Sequence, residues 1–421
     1  VLSNYRQIFA APGSLAFSAT GFLSRLPTSM VGIGIVTMLS QLRGSYAVAG
    51  AVSAVMALAA AAIGPQISRL VDRHGQRRVA LPATAVTTVS TVALLLCARA
   101  GAPDWTLFVC AIGMGTTPST GALVRARWAH LYGSDAARLH TAYALESVVD
   151  EIIFIVGPIL SIGLATSLFP EAGVLLAGIF LAIGVLLFTA QRGTEPPVHP
   201  ATHESGGSAI RSAGLRVLVL TFIATGAIFG AVEVVTVAYA QAQGHKGAAS
   251  LVLAVYALGS GLAGTVFGTL RPRGPAARRF QLGIGVMALS MLPLVLAARW
   301  CTGPVGLLAV GAALFLSGLS IAPTVITTMG LVARLVPAAQ LTEGMSWITT
   351  GLALGVAGGS SAAGWLVDAA GAAAGYQVPL AAAVFGVLVA LAGGRRLRMA
   401  GAEPAPVEAG TAAPSSEPAR P

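Results

Sequence analysis

Apolar runs long enough to cross a bilayer recur from residue 14 to residue 394, each ended by Gly, Pro or Arg. A hydrocarbon core of about 30 Å takes about 20 such residues as a helix. Inside lipid the backbone must satisfy its own hydrogen bonds, which leaves helices or a closed barrel. Barrel strands alternate polar and apolar residues over about ten positions. The runs "AVAGAVSAVMALAAAAIGP" and "VLLAGIFLAIGVLLF" do not alternate. Charged residues make up 10% of the chain and hydrophobic ones 55%, against roughly 25% charged in soluble domains. The chain reads as an all-α membrane protein.

Twelve spans are expected, at about 14–39, 46–68, 79–98, 105–124, 141–165, 172–190, 215–241, 248–270, 280–298, 304–327, 342–367 and 376–394. This gives an N-terminal six-helix part over residues 1–190 and a Pro/Gly/Ser-rich linker over 191–214. A second six-helix part covers 215–399, and a Pro/Ala-rich tail over 400–421 is expected to be disordered. Twenty of the 25 basic residues fall on one side of this layout, in short loops, the linker and the ends. Four fall on the other side (Arg43, Arg99, Lys246, Arg299), and Arg25 lies within the first span. By the positive-inside rule both termini and the linker are cytoplasmic. The net charge of +10 is thereby explained by topology, and nucleic acid is not an expected partner. Lys246 is the only lysine, and the excess of Arg, Ala and Gly points to a bacterial plasma membrane protein. The start "VLSNYRQIFAAPG" shows no cleavable leader pattern.

The two sets of six look related. At an offset of 201 residues Gly157 meets Gly358 and Gly163 meets Gly364. Repeats related by an axis along the membrane normal are a transporter architecture. Between spans two and three stands "SRLVDRHGQRRV", with Leu70, Asp72, Arg73, Gly75, Arg77 and Arg78. This loop resembles the signature G-x-L-x-D-R-x-G-x-R-R of the major facilitator superfamily, with Ser68 in place of the first glycine. The second set keeps Gly268, Leu270, Arg273, Gly274, Arg278 and Arg279 in "GTLRPRGPAARR" but lacks the acid. The resemblance covers the whole chain through span count, linker and repeat, and extends to bacterial drug/proton antiporters. It implies two pseudo-symmetric six-helix halves, with Asp72 latching the cytoplasmic end of a second-half helix. A carboxylate near a helix N-terminus gains about 0.3–1 kcal/mol.

The fifth span opens with "ALESVVDEIIFIVGP". Three of the chain's 15 acids, Glu146, Asp150 and Glu151, fall within six positions of it. At 1.5 Å per residue Glu146 lies about one turn inside the membrane. Asp150 and Glu151 lie about 14 Å in, near the midplane. Ionisable groups at that depth are costly and usually line a cavity. Glu146 and Asp150, four apart, share a helix face, and Glu151 is turned by about 100°. Neighbouring acids in a low dielectric repel each other's ionisation, so at least one of the three is expected to hold a proton near neutral pH. The resemblance to the superfamily implies that the first and fifth helices border one central cavity, so that Arg25, the only basic residue placed inside a span, would pair with Asp150 or Glu146. Glu146 has a second reading, as a cytoplasmic anchor for Arg138 or Arg127. Glu233, in the seventh span, is the remaining candidate for a buried proton-coupling acid, with a solvated place near the outer end of its helix as the alternative.

Gly157-Pro158-Ile159-Leu160-Ser161-Ile162-Gly163 resembles in part the fifth-helix glycine-proline motif of exporting members of the superfamily. Such exporters also often carry an arginine in the fourth span, where Val109 stands here. Enzyme motifs are missing: there is no HExxH, GxSxG or GK[ST] loop, and all six histidines fall in loops or at helix ends. Cys97, Cys110 and Cys301 are isolated, without disulfide or metal spacing. The expectation is a monomeric secondary transporter with no cofactor and no metal, driven by the proton gradient. It would export small amphipathic compounds in the manner of multidrug resistance antiporters. Import or facilitated passage of a metabolite is the alternative.

Overall fold

The structure, a computed structural model, describes residues 2–198, 207–245, 248–270 and 274–399. The expected disordered tail, the middle of the linker, Lys246, Arg271 and Arg273 lie outside the described residues. All regular structure among the described residues is helical. A short α1 (Leu2–Ile8) precedes a first span divided at Leu26 into α2 (Ser14–Arg25) and α3 (Pro27–Arg43). Spans two and three are α4 (Tyr46–His74) and α5 (Gln76–Arg99). The fourth is broken into α6 (Asp104–Met114) and α7 (Thr120–Tyr132), and α8 (Ala136–Ser167) and α9 (Ala172–Ala190) complete the first six. The last six begin with α10 (Ala213–Ala242), α11 (Ala248–Phe267) and α12 (Ala276–Trp300). A tenth span follows in two pieces, α13 (Gly303–Gly318) and α14 (Ile321–Leu335), and then α15 (Leu341–Ala370). A turn, α16 (Ala372–Gly375), leads to α17 (Gln377–Ala392) and α18 (Gly394–Met399). Eleven of these segments are long and apolar enough to cross a membrane, and the α6–α7 pair supplies the twelfth position.

The α6–α7 break has a local cause. Pro118 disfavours helical backbone at the residue before it. Carbonyls at the break accept both a backbone amide in a tightened turn and a side chain: Thr116 Oγ1 donates to Gly113 O at 2.8 Å and Thr117 Oγ1 to Met114 O at 2.8 Å. Broken helices persist at membrane depth when neighbouring groups satisfy the freed backbone in this way.

The break also corrects the expected fourth span. That span was placed at 105–124, with Arg125 and Arg127 in a basic loop. Helix α7 instead continues to Tyr132 and buries both arginines. Arg127 stitches three elements together: it donates to Gln76 Oε1 (2.8 Å), Gln191 O (2.9 Å) and Thr194 Oγ1 (2.8 Å), and lies over the Phe188 ring at 3.9 Å. Arg125 and Arg127 thereby leave the basic side to which they were assigned, while Arg271, Arg273 and Arg420 lie outside the described residues.

Packing divides the molecule along its length. One apolar cluster joins both sets of spans at the basic end, running from Ile8, Trp128 and Tyr143 to Leu215, Val332 and Met345. The other clusters stay within one set, such as Ile35, Leu94 and Leu107 in the first and Ile228, Val232 and Met291 in the second. The two sets are thus welded at the basic face and parted at the opposite face.

Helices α10 and α15 pack backbone to backbone. A Cβ on Gly226 or Gly355 would lie 2.0 Å from a carbonyl oxygen of the facing helix. Small residues at such spacing let membrane helices approach closely. This packing resets the repeat register by one residue. Gly157 meets Ser29 of α3, and the residue that meets span seven in the same way is Gly359, against Ala227. At this contact the packing offset is therefore 202 and not 201, because a Cβ on Gly358 would meet nothing within 4 Å.

Candidate functional site

Helix α8 presents its acids on two faces. Toward α2 and α7, Glu146 and Asp150 meet two arginines. Arg25 donates from NH2 to Glu146 Oε2 at 2.5 Å and from NH1 to Asp150 Oδ1 at 3.0 Å. Arg125 NH2 reaches Asp150 Oδ2 at 2.5 Å, and Trp128 Nε1 donates to Glu146 Oε1 at 2.7 Å. Each of the four carboxylate oxygens has one donor, and the two cations cancel the two anions. Arg25, Arg125 and Glu146 are buried, whereas Asp150 is 33% exposed and is the network's outlet. Removing one partner from such a set costs about 3–5 kcal/mol, since the remaining charge is left without compensation.

Sequence reasoning offered Arg25 one partner, and the structure gives it both. Glu146 is not an anchor for Arg138 or Arg127: Arg138 pairs with Asp135 at 3.3 Å and Arg127 bonds elsewhere. Arg125 was missed. The signal lay in "LVRARWAHLY", where two arginines alternate with apolar residues and continue a span in place of ending it. Close approach brings Arg125 in: a Cβ on Gly121 would sit 3.1 Å from Arg125 NH1 and 3.4 Å from Arg25 Cδ. Val109, at the place of the exporters' arginine, is 59% exposed on the outside of α6.

Glu151 faces the other way, toward α11. Ser260 Oγ donates to its Oε1 at 2.6 Å, and among the described residues Glu151 makes no ion pair. This bond is the innermost rung of a seam between the two sets of spans. Nearer the basic end, Thr141 Oγ1 donates to Gly268 O (2.9 Å), the His140 ring nitrogen bonds Phe267 O (2.9 Å), and Tyr5 Oη donates to Thr265 O (3.1 Å). Beyond Glu151 this face of the helix is no longer covered, and Phe154 and Ile155 are exposed. Glu233 is exposed on α10, without an ion pair among the described residues, and is not the buried acid the sequence suggested.

The signature loop closes the basic end. Asp72 accepts from the backbone N–H of Thr342 (3.1 Å) and of Glu343 (2.8 Å), so both of its oxygens cap the first turn of α15. These amides have no partner within their own helix. Gly75 makes the one-residue turn between α4 and α5 at φ +94°, a conformation open to glycine. Glu343, buried beside Asp72, accepts from Ser208 and from Trp347 Nε1 at 3.3 Å, with Arg69 at 4.0 Å. Leu70 and Arg73 are exposed, and Arg77 and Arg78 line a separate cavity. In the glycine–proline segment, Gly157 and Ser161 pack against α3, where Ser161 Oγ donates to Met30 O at 2.9 Å. Ser29 Oγ donates to Ile153 O (2.7 Å) in the turn that Pro158 loosens, while Gly163 is exposed.

Twelve spans in two sets, closed at one end by a seam that runs into a buried charge network, make the architecture of a secondary transporter. The sequence model of the Major Facilitator Superfamily matches residues 17–327. The chain belongs to that superfamily, and is accordingly a membrane transporter and not an enzyme. A comparison with curated proteins gave no match. Among solved structures, a bacterial homologue of the iron transporter ferroportin, in an outward-facing state, is similar at TM-score 0.72 and 16% identity, covering 91% of this chain and 99% of that one. The human organic anion transporter TETRAN is similar at TM-score 0.67 and 15% identity, over 90% and 100% of the two chains. The E. coli fucose:proton symporter gives TM-score 0.64 and 15% identity, over 90% and 97%. These likenesses establish the fold. Their substrates differ from one another, so they do not select one for this chain.

Proposed function

We propose that the protein is a proton-coupled exporter of small amphipathic or hydrophobic compounds. It works by alternating access in a bacterial plasma membrane, with its basic face and both termini toward the cytoplasm. The observation that carries the coupling is the position of Glu151. Arg25, Arg125, Glu146 and Asp150 balance one another, so a proton gained there breaks a neutral set. Among the described residues Glu151 has no cation, and its one bond there, to Ser260, joins the two sets of spans. As a carboxylate it accepts a charge-assisted hydrogen bond, roughly twice as strong as a neutral one. Protonation from the open side weakens that bond and removes the charge that must otherwise stay solvated. The seam then opens, the proton leaves on the basic side, and substrate enters in exchange. No cofactor takes part in this cycle.

The apolar character of the spans supports a greasy path, and Asn4 is the only asparagine in the chain. The test is transport of amphipathic dyes in proteoliposomes under an imposed pH gradient. Glu151→Gln keeps an acceptor for Ser260 without the titratable proton. It should bind dye and let it equilibrate, yet lose uphill movement. Uphill efflux by Glu151→Gln at the wild-type rate would refute the coupling. Dye moving in the same direction as protons would favour the importer.

A further inference from the structure

The basic face carries a cavity of about 610 Å³ that the transport cycle described above does not use. It lies between the start of α5 and the first residues of the linker. Its rim holds His74, Arg77, Arg78 and Arg192, with one acid, Glu195. That acid is already engaged: Glu195 Oε1 accepts the backbone N–H of Arg77 at 2.9 Å and so caps α5. Arg78 and Arg192 are exposed and make no ion pair among the described residues. A concave site with several guanidinium groups and a single committed carboxylate has the chemistry of a phosphate site.

The apolar wall decides which phosphate. Leu81 and Pro82 line the cavity, and from them an exposed apolar stripe runs along α5 through Val86, Val89, Val92 and Leu96. These positions recur every three or four residues, so they share one face of the helix. In a membrane that face meets acyl chains. A soluble phosphate would need no such stripe, whereas a phospholipid would lie along it with its headgroup in the cavity.

We propose that this cavity binds the phosphate headgroup of an anionic phospholipid from the leaflet at the basic face. The acyl chains lie on the α5 stripe. The site adjoins a smaller cavity of about 250 Å³ that contains Asp72 and Thr342, with Gly75, Pro196 and Val198 common to both. The lipid therefore sits beside the latch. This assignment does not depend on which acid carries the proton.

The test uses the purified full-length protein and native mass spectrometry after exchange into mixed phosphatidylglycerol and phosphatidylcholine. The double variant Arg78→Gln/Arg192→Gln is compared with Arg395→Gln/Arg396→Gln, which removes the same charge from the same face away from the cavity. Wild type and the control pair should retain phosphatidylglycerol selectively. The cavity pair should hold it on the order of tenfold less tightly, from the loss of two arginine contacts to an anionic headgroup. Circular dichroism and thermal melts in phosphatidylcholine alone verify that both pairs fold. Equal retention of the two lipids by wild type overturns the proposal, as does equal loss in the two variant pairs. Displacement of the lipid by glycerol phosphate at equal concentration would assign the cavity to a soluble phosphate and also overturn it.

Discussion

Asp150 and Glu151 are consecutive residues of one helix, yet their surroundings are opposite. Asp150 is shared by Arg25 and Arg125, and its charge belongs to a neutral set within the first six spans. Glu151, turned by about 100°, has only the Ser260 hydroxyl, which comes from the last six spans. One acid is held by ion pairs inside a rigid set. The other lies at the interface between the two sets of spans. A helix can thus place one acid within a set of spans and the next at the interface between sets by a single step in sequence. Stability and coupling should divide between these two faces of α8.

The network face should show the largest effect on stability. Glu146→Gln leaves Arg25 and Arg125 with Asp150 alone and one excess buried charge. A loss of about 3–5 kcal/mol is expected, read as a drop in thermal midpoint in detergent. The double variant Arg25→Gln/Glu146→Gln removes a pair and should recover much of that loss. If the double change costs as much as the two single changes added together, the two side chains are not coupled and the neutral-set account fails.

On the seam face, Ser260→Ala removes the one donor that Glu151 has among the described residues. A hydrogen bond to a charged group contributes about 1.5–3 kcal/mol. The loss should appear mainly as a shift between the two end states, because nothing within either set of spans is disturbed. Cysteine labelling from the basic side should rise in Ser260→Ala, with the thermal midpoint moving less than in Glu146→Gln. A larger fall in midpoint than in Glu146→Gln would reverse the comparison.

The glycines offer a smaller test of how far the pseudo-symmetry extends. Gly359→Ala places a methyl 2.2 Å from the Ala227 carbonyl, whereas Gly358→Ala meets nothing within 4 Å. Overpacking of this kind costs about 1–3 kcal/mol, so Gly359→Ala should destabilise and Gly358→Ala should be near neutral. The opposite ranking would restore the offset of 201.

These differences also separate what could be read in the sequence from what could not. Hydropathy and arginine asymmetry were enough for twelve spans, since a bilayer imposes length and composition on each helix. The acids of α8 were legible because charges stand out in apolar runs. Arg125 was not, because an arginine lowers hydropathy in the same way whether it ends a span or is neutralised inside one. Ser260 was not, because in "GSGLAGTVFG" it looks like one more small packing residue. Its role depends on α8 lying opposite, a contact more than a hundred positions away in the chain. Glu233 misled for the converse reason: apolar neighbours in sequence say little about whether the packed bundle covers a given helix face.

Asp72 is a third kind of acid, bound by backbone amides in place of side chains. Its charge gains from the N-terminus of α15, about 0.3–1 kcal/mol at an exposed end and up to about 2 kcal/mol when partly buried. Glu343 stands beside it and opposes that gain by like-charge repulsion, offset in turn by Arg69 and the Ser208 hydroxyl. Asp72→Asn keeps an acceptor for one amide and relieves the repulsion, so the net effect should be the smallest of the series. Hydrogen exchange at Thr342 and Glu343 should accelerate about two- to five-fold, the range that corresponds to about 0.3–1 kcal/mol. Uphill transport should be unchanged, because the latch joins α4 to α15 whereas Glu151 joins α8 to α11, a different helix pair. Slower exchange in Asp72→Asn would mean that repulsion from Glu343 outweighs the cap. The closed end would then be held by the apolar weld around Trp128, Leu215 and Met345, with Asp72 contributing nothing to it.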